Sequence, residues 1–191
     1  MQTELIPSAV AADVVAGNLV DGLFQHALER RMTPSLRNRL ATAGLDVETR
    51  AAGDVQRSDF ATWLRLTVES LFAGSLEADA YRQLGHDLVR GYSMTLKGSA
   101  IVAVARMMGP RRTLERMAKS ADSIASRYTA RLEEQSEGCF HFFVNEPDLA
   151  PTFLAGVLAE AATLAGARDV QCEPLRREDG GWRYELRWSA K

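Results

Sequence analysis

The chain has 191 residues, 46% hydrophobic and 25% charged, and its 23 Lys and Arg against 25 Asp and Glu leave a net charge of −2. A chain this long buries roughly 70% of its unfolded surface and needs no covalent or metal staple. The composition excludes the disordered and fibrous classes, and the near-neutral balance excludes a protein whose main task is neutralising nucleic-acid phosphates. Cys139 and Cys172 are too few and too far apart for a disulfide framework or a CxxC zinc site, and read as reduced strand residues. The segment before Asn18 carries Glu4 and Asp13 and lacks a basic, then apolar, signal-peptide pattern. The apolar run from Ile101 to Ala105 falls far short of the ~20 residues that span a bilayer, so no membrane span and a cytoplasmic setting are expected.

Residues 1–17 are predicted as an N-terminal arm, followed by a single α+β domain over 18–191 that is mainly helical to 124 and ββαββ from 125. The first helix is predicted from near Asn18, with Leu19, Leu23, Ala27 and Leu28 on one stripe, to Glu29-Arg30-Arg31. Thr33 caps a second helix with Pro34 at its first position, and Gly44 closes it. Leu45 to Arg57 reads as a loop. Ser58 is then placed as the cap of a strongly amphipathic helix carrying Phe60, Trp63, Leu64, Thr67, Val68, Leu71 and Phe72. Ser75 begins the next, in which Tyr81, Leu84, Leu88 and Tyr92 share a face. Gly85 and Gly91 lie inside that pattern at ~1 kcal/mol each relative to alanine, which implies close packing against them.

Ser99 to Met108 is so apolar that a central position is expected. Gly109-Pro110 then separates it from a basic helix running to about Ile124, with Leu114, Met117 and Ala121 inward. From Ser126 the period changes to two: Tyr128, Ala130 and Leu132, then Phe140, Phe142 and Val144 beyond Gly138, form one hairpin. Leu149 to Ala165 is helical. Asp169 to Leu175 and Trp182 to Trp188 make a second hairpin through Glu178-Asp179-Gly180-Gly181, with Trp182, Tyr184, Leu186 and Trp188 on one face. Helices followed by ββαββ make an α+β fold, an antiparallel sheet packed against helices.

From Arg116 to Trp188 this order resembles the C-terminal half of the heme nitric-oxide-binding domain and its relatives, the 4-vinyl reductase ligand-binding domain and the TRAPP small subunits. Val20 to Phe24, Leu36 to Asp46, Tyr81 to Gly85, Gly91-Tyr92, Gly98 and Gly109 to Arg112 together look like a paralogous family of unknown function described from the Myxococcales. The first resemblance implies a heme-nitric-oxide-binding-like fold, and in those relatives a proximal histidine on the helix before the sheet and a Tyr-x-Ser-x-Arg signature hold heme. Here Ser93 to Arg127 contains no His, Cys or Tyr, its only soft donors being Met94, Met107, Met108 and Met117. The matching strand reads Phe140-His141-Phe142-Phe143-Val144-Asn145. No heme and no other cofactor is therefore expected.

His26, His86 and His141 share no i, i+3 or i, i+4 spacing, so no metal site is expected. No catalytic constellation stands out. Tyr81, Gly85, Tyr92, Met94, Met108 and Phe153, with Met107, read either as plain core or as the lining of an apolar ligand pocket. Arg111, Arg112 and Arg116, beside Arg106 and Lys119, read as a solvated helix face or as a surface for an anion or a partner. The leading function is a non-catalytic sensor or adaptor that binds a small apolar ligand or a protein without heme. The alternatives are an enzyme assembled from scattered residues such as Cys139, His141 and Arg112, or a homodimeric scaffold with an apolar patch on its first helices.

Overall fold

The computed structural model describes residues 14–49, 53–124, 129–145, 149–177 and 181–189. The arm before residue 14, the strand start at Tyr128 and the Glu178-Asp179-Gly180 turn lie outside the described residues. A two-residue strand, β1 (Val14–Val15), pairs antiparallel with β2 (Val55–Gln56). Between them lie α1 (Gly17–Asp21), a π-helical turn (Gly22–Ala27), a 3-10 turn (Glu29–Arg31) and α2 (Pro34–Thr42). Then follow α3 (Arg57–Leu71), α4 (Glu77–Met94), α5 (Leu96–Met108), α6 (Pro110–Ile124), β3 (Ala130–Ser136), β4 (Cys139–Val144), α7 (Pro151–Leu164), β5 (Arg168–Arg176) and β6 (Trp182–Ser189).

The α+β prediction holds. Each hairpin is antiparallel, and β4 joins them by pairing with β6 from Cys139↔Arg187 to Val144↔Trp182, giving the order β3-β4-β6-β5. Alternation puts Phe140, Phe142, Val144, Tyr184 and Leu186 on the inner face against Leu114 and Ala118 of α6 and Ala155, Leu158 and Ala162 of α7. Phe140 stacks on Trp188 at 4.5 Å. A second core gathers Val20, Leu23, Phe24, Leu36, Leu40, Phe60, Trp63, Leu64, Leu84 and Phe153 from the N-terminal helices, α4 and α7.

Local signals in the first half are met unevenly. Thr33 accepts a hydrogen bond from the Leu36 N–H at 3.2 Å, with Pro34 behind it and Gly44 at φ +88°. The predicted first helix instead widens into a π turn at Gly22, where a Cβ would lie 2.6 Å from the Tyr92 backbone nitrogen, so α4 passes directly over its backbone. Ser58 and Ser75 are not caps. α3 and α4 start from Gln56 and Leu76, whose side chains make no capping bond.

The largest departure is α5. Its apolar sequence predicts a central helix, yet only Gly98 and Ala105 are buried, while Leu96 is 91% and Met107 87% exposed. With polar side chains only at Lys97, Ser99 and Arg106, the helix has no continuous polar face to report which side meets water.

Tyr184 is fully buried, and its hydroxyl has no hydrogen-bond partner among the described residues. Burial, with the Cys172 thiol as a lesser influence, pushes its phenol far above the ordinary range, so it stays protonated. An unpartnered buried hydroxyl opposes folding. Tyr184→Phe is accordingly expected to raise stability by about 1 kcal/mol, read as a higher urea midpoint with an unchanged slope. A loss of stability would show that the hydroxyl has a partner.

Candidate functional site

Where α5 leaves the body of the protein, a cavity of about 640 Å³ opens between it, α6, α7 and the sheet. α5 contributes Ala100, Ile101, Val104, Ala105 and Met108; α6 contributes Thr113, Arg116, Met117 and Ser120. Ala130, Phe142 and Val144 form the sheet wall, and Leu154 and Leu158 of α7 complete it. The space has a local cause. Thr95 caps α5, accepting from the Gly98 N–H at 3.0 Å, and Gly109 ends it at φ +81°. Held between these two breaks, α5 presents alanine at 100 and 105, too short to reach the sheet.

Three polar side chains line the cavity: Thr113, Arg116 and Ser120. The Thr113 hydroxyl is occupied, donating to the Gly109 carbonyl at 2.8 Å. Arg116 is exposed and is the one charged side chain in the lining among the described residues. The predicted basic cluster divides at this point. Arg111 pairs with Glu115 at 3.0 Å and Glu134 at 2.7 Å, whereas Arg112 and Arg116 form no ion pair among the described residues.

The six residues predicted as a pocket do not converge. Met108 lines this cavity. Tyr81 instead lines a separate space of about 270 Å³ with Ala61, Leu64, Arg65, Leu149 and Ala150. Gly85 lies in the contact between α4 and α7, where an added Cβ would overlap the Phe153 carbonyl oxygen, and Phe153 is buried in the N-terminal core. Tyr92 is half-buried where α4 crosses Gly22, and Met94 at the end of α4 is 66% exposed. Burial raises the pKa of both Tyr81 and Tyr92, with Glu77 adding to it for Tyr81 and a hydrogen bond to Asn18 opposing it for Tyr92. Sequence reasoning missed Ile101, Val104, Phe142, Val144, Leu154 and Leu158. Each was readable as apolar, but the gap between their elements has no sequence signal.

The donor set speaks against heme. Among the described residues the lining's soft donors are the Met108 and Met117 thioethers, and no described His, Cys or Tyr lines it. His26 is exposed on the π turn. His86 faces Glu160 through Nδ1 at 2.9 Å, and His141 lies on the outer sheet face, 3.5 Å from Glu185. The residues present do not fit the axial and propionate contacts of a bound heme, and no cluster of His, Cys, Asp and Glu among the described residues could hold a metal.

The scattered enzyme candidates are no closer together. Cys139 and His141 share the outer face of the sheet, while Arg112 rides on α6, which packs against the inner face. Burial pushes the Cys172 thiol up to about 12, so it is no nucleophile near neutrality.

The buried polar contacts instead tie α4 to its neighbours. Glu160 of α7 accepts from Arg90 at 2.8 and 3.0 Å and meets His86 at 2.9 Å. Burial alone would raise its pKa, but the His86 and Arg90 hydrogen bonds and charges outweigh that and hold the carboxyl below its ordinary value. Asp87 is tied by Arg31 at 2.9 Å and Gln83 at 3.0 Å.

No helix among the described residues is long and apolar enough to cross a membrane. In overall fold the chain is similar to an oxygen-binding H-NOX domain related to soluble guanylate cyclases, at 9% identity and a TM-score of 0.67 over 92% of this chain and 96% of that one. It is equally similar to a Cs H-NOX mutant carrying an unnatural amino acid (10% identity, TM-score 0.68, 92% and 97% covered). An Fe(II) unliganded H-NOX variant from K. algicida aligns with 12% identity and a TM-score of 0.62 over 93% and 98% of the two chains. The likeness thus takes in the helical half as well as the ββαββ half. No curated protein matches the sequence. Residues 13–189 match a family described as a protein of unknown function, DUF2378, and the chain belongs to that family.

Proposed function

We propose that this chain is a heme-free sensor domain that takes a small, largely apolar ligand in the cavity under α5. The observation that carries the reading is the cavity itself, whose volume of about 640 Å³ lies within the roughly 300–1,000 Å³ typical of small-molecule sites. Its walls are aliphatic and aromatic and no acid-base pair faces into it, which suits binding better than catalysis. The H-NOX-like fold supports a sensing role, and the donor set supports one without iron. The cytoplasmic setting expected from composition belongs to the same proposal.

A second reading, a homodimer, is favoured by the outer stripe of α5. Leu96, Ala103 and Met107 are exposed along one side of the helix, and Ala100, exposed as well, completes the row at its edge, where it also borders the cavity. Reversed, the stripe reads the same, large at the ends and small in the middle, so a second copy can cross it antiparallel about a two-fold axis. This patch is on α5 and not on the first helices, where the sequence placed it.

Native mass spectrometry of the purified chain tests both readings. The expected result is an excess mass of a few hundred daltons that is released on denaturation, as a drug-sized ligand would give. A clean ligand-free mass, with a Soret band appearing on hemin addition, would overturn the sensor reading in favour of heme. A monomer throughout, at tens of micromolar, would sink the dimer.

A further inference from the structure

We propose that the cavity's ligand is an anionic amphiphile: an apolar chain or ring system held under α5, ending in one carboxylate-like group bound by Arg116. This rests on the reading of the cavity as a ligand site and goes on to name the class of molecule.

The charge distribution argues for it. Among the described residues no carboxylate lines the cavity, and Arg116 is its one cation. On α6, Arg112 stands one turn before Arg116 and Lys119 three residues after it, and none of the three forms an ion pair among the described residues. The contrast with Arg111 is informative. Five residues earlier on the same helix, Arg111 is neutralised by both Glu115 and Glu134. The described charges at the mouth are therefore positive on balance, attracting an anion and repelling a cation.

Arg116 also suits the role by shape. Its guanidinium forms a planar fork that matches a carboxylate with two parallel hydrogen bonds, and its exposure lets the head group stay hydrated on one side while the chain is buried. The other polar groups in the lining are short neutral hydroxyls, that of Thr113, which already donates to the Gly109 carbonyl, and that of Ser120. A neutral apolar ligand would fill the same space but use none of this charge.

The test compares dodecanoate with dodecanol, of equal chain length, the first kept below its micelle concentration and the second below its solubility limit, by titration calorimetry on the full chain. The proteins are the wild type, Arg116→Gln and Val104→Trp. Both substituted residues are exposed, so the variants are expected to melt with the wild type, and far-ultraviolet circular dichroism checks that they do. In the wild type dodecanoate is expected to bind about fivefold tighter than dodecanol, a preference that shrinks in high salt. Arg116→Gln brings the ratio to near one by weakening dodecanoate alone. Val104→Trp, which places an indole in the cavity, abolishes both.

Equal binding of the two probes to the wild type, or a preference that survives Arg116→Gln, overturns the head-group assignment while the cavity reading stands. Binding of neither probe to the wild type, or full binding to Val104→Trp, overturns the cavity reading and the assignment with it.

Discussion

Gly85→Ala is expected to lose about 3 kcal/mol of folding stability, although alanine is by about 1 kcal/mol the better helix former. The added methyl group would overlap the Phe153 carbonyl oxygen and sit 2.9 Å from the Val157 backbone nitrogen and 3.1 Å from the Gly156 Cα. These are backbone atoms of α7, and no rotamer change can move them aside. Gly156 presents the reciprocal case, since a methyl there would overlap the Arg82 carbonyl and lie 3.1 Å from the His86 nitrogen. The loss is large against a typical total of 5–15 kcal/mol, so the urea midpoint should fall steeply. Because both glycines set the same helix-helix distance, Gly85→Ala combined with Gly156→Ala should lose less than the sum of the two. A loss below about 1 kcal/mol for either single variant would show that α4 and α7 separate freely.

Glu160→Gln is expected to lose about 2 kcal/mol at neutral pH, the range for hydrogen bonds to a buried charge. The shape gives up little, but the charge that holds Arg90 and His86 is gone. The pH dependence identifies the cause. Glu160 has a lowered pKa in the folded protein, so its carboxylate contributes fully above the ordinary value of 4.5 and progressively less as pH falls through and below it. The stability gap between wild type and Glu160→Gln should therefore be constant from pH 7 to about 5 and narrow at lower pH. A gap that stays the same down to pH 3 would mean that the loss comes from packing.

Both contacts illustrate what a sequence exposes and what it hides. Gly85 and Gly91 stood out as helix-breaking residues in a helical pattern, and their purpose, close approach of another backbone, follows from propensity alone. Which backbone approaches does not, because Phe153 and Gly22 are distant in sequence. The Thr33-Pro34 cap, the alternation in β4 and β6 and the inner face through Tyr184 and Leu186 were legible because each depends on neighbours a few residues away. α5 was misread for the same reason. Its residues state that they are apolar and helical, and nothing local states that the sheet stands too far off to cover them. The cavity residues come from α5, α6, α7, β3 and β4, and the lack of His, Cys and Tyr from Ser93 to Arg127 was readable while the space between those elements was not. The Arg111, Arg112 and Arg116 cluster was visible as charge, but the division between neutralised and free cations depends on Glu134, on a strand reached only through the fold.

The wall between the cavity and the outside is one helix thick. α5 is 13 residues long, so it is a rod of about 20 Å by about 10 Å, with Val104 and Ile101 on its inner side and Leu96 and Met107 on its outer side. If one molecule lodges within and another is seated without, both press on the same backbone, and a shift that one imposes on it is felt by the other. Thermodynamic linkage makes that coupling reciprocal: if filling the interior strengthens an external contact by some factor, the external contact strengthens retention of the interior guest by the same factor.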